Sequence, residues 1–205
     1  MIICMSERID WNRVVCVTNR HLCDGPLEER MKRIAACRPR AVILREKDMD
    51  EREYEALAAR MIPIFRSQEV PVILHSFFSS AVRLCPDGLH LPLSLLRRTS
   101  PAQRRRFRVL GTSCHSLTDV QEAAALGCSY ILAGHIYATS CKQGLPGRGI
   151  DFLAQVCAAS PVPVYAIGGI TPQRLPEVLR AGAAAACVMS GLMSGELWLE
   201  KAEKS

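Results

Sequence analysis

The chain has 205 residues, 49% of them hydrophobic, with 13 Gly and 12 Pro spread along its length, a profile that fits a compact α/β domain and excludes disorder or a repeat array. No run is apolar for the roughly eighteen residues a membrane-spanning helix needs, so no membrane partner is expected. The net charge of +6 is modest and scattered, which suits small anionic ligands better than nucleic acid.

In chain order, the start has too short an apolar stretch for a signal peptide. Residues 1–12 read as a short N-terminal extension, and a cytoplasmic location is expected. Apolar or β-branched runs then recur at 14–18, 41–44, 71–74, 88–91, 109–113, 130–133, 163–167 and 186–190. Most are separated by segments with apolar residues three and four apart, the period of a helix. The clearest is 50–65, with Asp50 as N-cap and Glu53 three residues on. The segments 116–126 and 171–181 end at Gly127 and Gly182, as helices closed by a C′ glycine do. The basic cluster Arg97, Arg98, Arg104, Arg105 and Arg106 reads as a solvated helical face in preference to a nucleic-acid patch. Residues 196–205 read as a C-terminal tail.

Continuous apolar strands alternating with helices imply a parallel sheet covered by helices. Eight such units without a second compositional block predict one domain over 1–205, a closed (β/α)8 TIM barrel. No Gly-rich dinucleotide fingerprint follows the first strand, which argues against an open doubly wound sheet. The ten cysteines include no CxxC pair and read as reduced thiols, with no metal site or disulfide framework.

Barrel chemistry sits on the loops after the strands. The 134–149 loop follows the sixth strand and offers His135, Thr139, Ser140 and Lys142 before a flexible Gly144–Gly149 tail. A titratable base beside anion-binding groups suggests proton transfer on a phosphorylated or carboxylated molecule. His135 can equally hydrogen-bond its own loop, and its position at a strand end is what points to catalysis. His90, on an apolar strand, reads as a core histidine. His75 is a candidate pocket wall, His115 is a candidate to line the pocket or orient a neighbour, and His21 is an ordinary loop residue.

The seventh strand ends on Gly168-Gly169, and the eighth ends on Ser190-Gly191. A glycine pair serves a tight turn as readily as a ligand. Its recurrence at these two strands, where phosphate-binding barrels hold their anion, favours a phosphate cradle.

Four motifs carry a family resemblance: Leu44-Arg45-Glu46-Lys47-Asp48, Asp87-Gly88-Leu89-His90-Leu91, the 134–149 loop, and Ile167-Gly168-Gly169-Ile170-Thr171-Pro172. The chain resembles the thiamine phosphate synthase/TenI superfamily from about Cys16 to Gly191. The resemblance implies that Arg45 and Lys47 meet a substrate carboxylate or phosphate, which a guanidinium fork suits. It further implies a homodimer.

Departures from the superfamily pattern decide the branch expected. Synthases join a pyrimidine pyrophosphate to a thiazole phosphate with Mg²⁺ holding the leaving group. The two carboxylates that would carry the metal are Ser76 and Leu95 here, which supply no equivalent hard oxygen set. The resemblance is therefore taken to TenI-type thiazole tautomerases, cofactor-independent isomerases that aromatise a carboxythiazole phosphate. On that expectation His135 is the acid/base and Arg45 and Lys47 hold the carboxylate. Gly168, Gly169, Ser190 and Gly191 hold the phosphate, Thr139 and Lys142 close over the substrate, and Ser113 adds a pocket hydroxyl. The alternatives are a divergent thiamine phosphate synthase and a non-catalytic binding or regulatory protein.

Overall fold

The computed structural model describes residues 9–203 apart from 140, 142 and 143. Eight parallel strands hydrogen-bond in chain order and close on themselves, as expected. They are β1 (Val14–Val17), β2 (Ala41–Arg45), β3 (Val72–His75), β4 (Gly88–Pro92), β5 (Val109–Cys114), β6 (Tyr130–Gly134), β7 (Val164–Ile167) and β8 (Ala185–Val188). The first helices around the barrel are α1 (Leu27–Ala36), α2 (Glu51–Arg66), α3 (Phe78–Leu84), α4 (Leu93–Leu96) and α5 (Pro101–Arg104). After them come α6 (Leu117–Ala125), α7 (Gly149–Ala159), α8 (Leu175–Arg180), α9 (Ser190–Met193) and α10 (Leu197–Glu203).

The strands read as unbroken apolar runs because both their faces are covered. One parity points outward: Cys16, Val42, Leu44, Leu74, Leu89 and Leu91 pack beneath the helices. The other fills the barrel, with Val15, Val17, Ile43, Ile73, Tyr130, Leu132, Tyr165 and Cys187 forming a separate interior cluster. Helix α2 begins as its sequence indicates, the Asp50 carboxylate accepting from the Glu53 amide at 2.9 Å.

Two segments differ from expectation. The helix after Gly168-Gly169 does not begin at Thr171. A turn occupies 172–174, and α8 opens at Leu175. Pro176 has no N–H for the bond an earlier start would require. Residues 197–203 form α10 where a tail was expected, and Trp198 and Leu199 are buried against the outer core. The basic cluster falls on α4, α5 and their flanks, where Arg97 pairs with Glu122 of α6. No described helix is long and apolar enough to cross a membrane.

Candidate active site

At the carboxyl ends of β2 and β3 the barrel interior turns polar, and the polar row slants from there down to the first residue of β6. One register row runs across five strands: Arg45 opposite His75, His75 opposite His90, His90 opposite Gly111, and Gly111 opposite Tyr130. These positions share the inward parity of Ile43, Ile73 and Tyr130. Ser113, two residues beyond Gly111, lies on the same face.

Neighbouring elements hold this row in place. Thr18 at the end of β1 accepts from the Arg45 amide at 2.9 Å and donates to the buried Glu46 carboxylate at 2.7 Å. Glu46 also accepts from the Arg20 amide, at 3.1 and 3.0 Å. The Arg20 guanidinium forks onto Asp48 at 2.7 and 2.5 Å, and His21 reaches the same carboxylate at 2.8 Å. Asp48 is held well below the usual carboxylate range, first by Arg20 and then by His21. The charged motif after β2 therefore divides: Glu46 and Asp48 strap the 19–23 loop, while Arg45 remains on the interior face. From α2, the Tyr54 hydroxyl donates to the Leu44 carbonyl at 2.6 Å and accepts from the His75 amide at 2.9 Å. That hydroxyl ties the ends of β2 and β3 together in addition to their own pairing.

Arg45 is half-buried, and its guanidinium has no hydrogen bond or ion pair among the described residues. Burial lowers its pKa, opposed mainly by the through-space field of Glu46. A desolvated cation without a contact partner is a place for an anion. His75 beside it is depressed to about 4, by burial and then by Arg45 and Lys47, so it is neutral at physiological pH. Its ring stacks on His90, with centroids 5.5 Å apart. His90 is the expected core histidine: it is 1% exposed, with Nδ1 3.0 Å from the Tyr130 hydroxyl and Nε2 3.0 Å from Ser113 Oγ. Ser113, expected to add a pocket hydroxyl, is partly exposed on the interior face, with a histidine behind it that the sequence had not linked to it. Lys47 is exposed on the turn after β2.

The remaining residues of the expected site are dispersed around the same end. His135 directly follows β6, and its Nε2 lies 3.4 Å from the Leu145 carbonyl of its own loop. Thr139 Oγ1 accepts from the Cys141 amide at 3.4 Å. Lys142 lies outside the described residues. His115 Nδ1 lies 3.2 Å from the Gly134 carbonyl, at the edge of the site.

Gly168 and Gly169 have φ of +108° and +63°. A Cβ at Gly168 would sit 2.4 Å from that of His135, and one at Gly169 would sit 2.6 Å from the Ala138 carbonyl oxygen. The pair thus lets the β6 loop pack on the β7 turn, and that packing alone requires glycine. Ser190 opens the single-turn α9, while a side chain at Gly191 would meet the Trp198 indole at 2.8 Å. A separate recess of about 490 Å³, lined by Arg38, Arg40, Glu69, Asp87 and Tyr165, lies at the barrel's other end, around the starts of the strands.

The donor set does not fit Mg²⁺. Position 76 is Ser, position 95 is an exposed Leu on α4, and the nearby carboxylates Glu46 and Asp48 are already engaged by Thr18, Arg20 and His21. Among the described residues no group of three His, Cys, Asp or Glu is arranged to hold a metal.

A family model described as thiamine monophosphate synthase matches residues 14–192. A thiamine-phosphate synthase of Roseiflexus castenholzii is 33% identical over 160 residues, 75% of this chain and 68% of that protein. The thiamine-phosphate synthase 2 of Streptococcus pneumoniae is 29% identical over 192 residues, 90% of this chain and 89% of the relative. A solved thiamine phosphate pyrophosphorylase from Pyrococcus furiosus superposes with a TM-score of 0.79 at 23% identity, covering 95% of this chain and 93% of that one. At that identity the likeness speaks for the fold alone. These relatives are named as synthases, which corrects the expectation of an isomerase. The role of tautomerising acid/base given to His135 lapses with it.

Proposed function

Because the chain belongs to the thiamine monophosphate synthase/TenI family, we propose that it binds a thiazole phosphate at the carboxyl end of its barrel and joins it to an activated pyrimidine, forming thiamine phosphate. The observation that carries this reading is Arg45, a half-buried guanidinium with no contact partner among the described residues, set on a polar interior face. Joining the rings displaces an anionic leaving group. Arg45 and the exposed Lys47 meet that charge, and the enclosed setting of Arg45 strengthens the attraction. Ser113 supplies a hydroxyl on the same face, and neutral His75 adds an aromatic wall without adding charge. Phosphate at the Gly168-Gly169 turn and Ser190 belongs to this proposal as well.

The missing carboxylates at positions 76 and 95 favour a second reading, in which the pocket binds its ligand without coupling. Titration with thiazole phosphate tests what both readings share. Arg45→Ala is expected to weaken binding of the leaving anion, titrated as pyrophosphate, by about 10- to 100-fold, the worth of charge-assisted hydrogen bonds. Equal affinity in a folded variant would move the anion away from Arg45.

A further inference from the structure

Resting on the reading above, we infer that Tyr130 and His90 form a directional relay that holds the Ser113 hydroxyl as a hydrogen-bond donor to an oxygen of the phosphorylated ligand. Both are then positioning residues for the site.

The register makes the relay possible. His90 and Tyr130 flank Gly111 on neighbouring strands, all on the interior face. A Cβ at Gly111 would fall 2.1 Å from Tyr130 Cζ and 2.5 Å from its hydroxyl oxygen. The missing side chain on β5 is therefore the space in which a phenol from β6 reaches an imidazole on β4. Tyr165 stacks on the Tyr130 ring at 4.7 Å, which holds it there.

Counting donors fixes the direction. The Tyr130 hydroxyl has one hydrogen-bond partner among the described residues, His90 Nδ1 at 3.0 Å. Burial pushes the Tyr130 pKa well above 10 and holds His90 well below 6.5, so the phenol keeps its proton and the imidazole is neutral. If Nδ1 carried the proton, two hydrogens would meet across that bond unless the phenol turned its own toward an acceptor it does not have. Tyr130 must donate to Nδ1, which puts the single ring proton on Nε2. Nε2–H then donates to Ser113 Oγ at 3.0 Å. The Ser113 proton is left unspent, on a partly exposed residue facing the barrel mouth. The opposite tautomer would draw that proton inward and leave Ser113 an acceptor, the wrong polarity for phosphate.

Two measurements decide this. Nitrogen-15 NMR of histidine-labelled wild-type protein should show His90 protonated at Nε2 and not titrating between about pH 8 and 5.5, as a fully buried neutral imidazole behaves. A proton on Nδ1 overturns the relay whether or not any ligand binds. The second is a double-mutant cycle on thiazole phosphate affinity. Ser113→Ala should weaken binding about tenfold, the size of one hydrogen bond to a charged group. Tyr130→Phe should cost about as much in the wild type and almost nothing in the Ser113→Ala background. His90→Gln, whose amide can donate to Ser113 and accept from Tyr130, should bind more tightly than His90→Leu. Equal losses from Tyr130→Phe in both backgrounds would reduce Tyr130 to packing and refute the relay. If wild-type protein does not bind thiazole phosphate, the proposed function fails and the NMR result alone settles the relay.

Discussion

Replacing Tyr54 with Phe tests how the site is held. The Tyr54 hydroxyl joins the Leu44 carbonyl at 2.6 Å to the His75 amide at 2.9 Å, and both residues are buried. Phe keeps the ring and its contact with Phe77, whose centroid lies 4.8 Å away. The perturbation is thus close to the loss of one oxygen. Two buried hydrogen bonds at about 1 kcal/mol each disappear, and the stranded His75 amide adds a desolvation penalty, giving about 2–4 kcal/mol in all. Urea unfolding followed by circular dichroism should show the midpoint falling by about 1 M with the slope unchanged. Affinity for pyrophosphate should fall as well, because Arg45 and His75 stand at the two strand ends the hydroxyl ties together. A loss below about 0.5 kcal/mol would mean that the strand ends hold themselves, and the reasoning about Tyr54 would be wrong.

Acid should destabilise the fold through His75, whose pKa drops from 6.5 to about 4 on folding. The neutral form is the one the fold holds, so this contribution is whole above pH 6.5 and is lost as pH falls toward 4, about 3 kcal/mol from that shift. Unfolding midpoints measured from pH 7.5 to 4.5 should fall less steeply in His75→Leu than in wild type, and identical slopes would remove His75 from the explanation. Gly111→Ala should cost about 1–3 kcal/mol by overpacking against Tyr130, visible as a lower thermal midpoint, and wild-type stability would contradict the close approach of the ring. Ser190→Ala should leave stability unchanged and weaken thiazole phosphate binding severalfold, as one hydrogen bond does; unchanged affinity would place the phosphate elsewhere. Ser190 is a cleaner probe than Gly169, where any side chain collides with the Ala138 carbonyl whether or not phosphate binds.

The barrel was legible because each strand is a short apolar run, and eight of them at regular spacing leave few alternatives. The ends of elements were less so. Arg45, His75, Pro92, Cys114 and Gly134 extend strands beyond the apolar runs, because register with a neighbour decides where pairing stops. Trp198 was passed over in a stretch read as a tail, since one indole gives no periodicity. Among the site candidates, Arg45 and Ser113 were expected through the family resemblance, whereas Tyr54 and Arg20 act through hydrogen bonds from elements distant in sequence. The polar row was accessible in principle. Counting parity from Ile43 to Arg45 and from Ile73 to His75 puts both polar residues inside, and only the offset between strands was missing. Gly168-Gly169 marked a turn after β7, and the requirement for glycine there comes from the β6 loop packing on it.

Incubating the purified protein with pyrimidine pyrophosphate and thiazole phosphate, and measuring thiamine phosphate by chromatography with and without Mg²⁺, tests the proposed function most directly. Thiamine phosphate should form, and its formation should fall sharply in Arg45→Ala. Thiazole phosphate binding without product would establish the binding-only reading instead, and neither binding nor product would contradict the assignment of this barrel end to thiazole phosphate altogether.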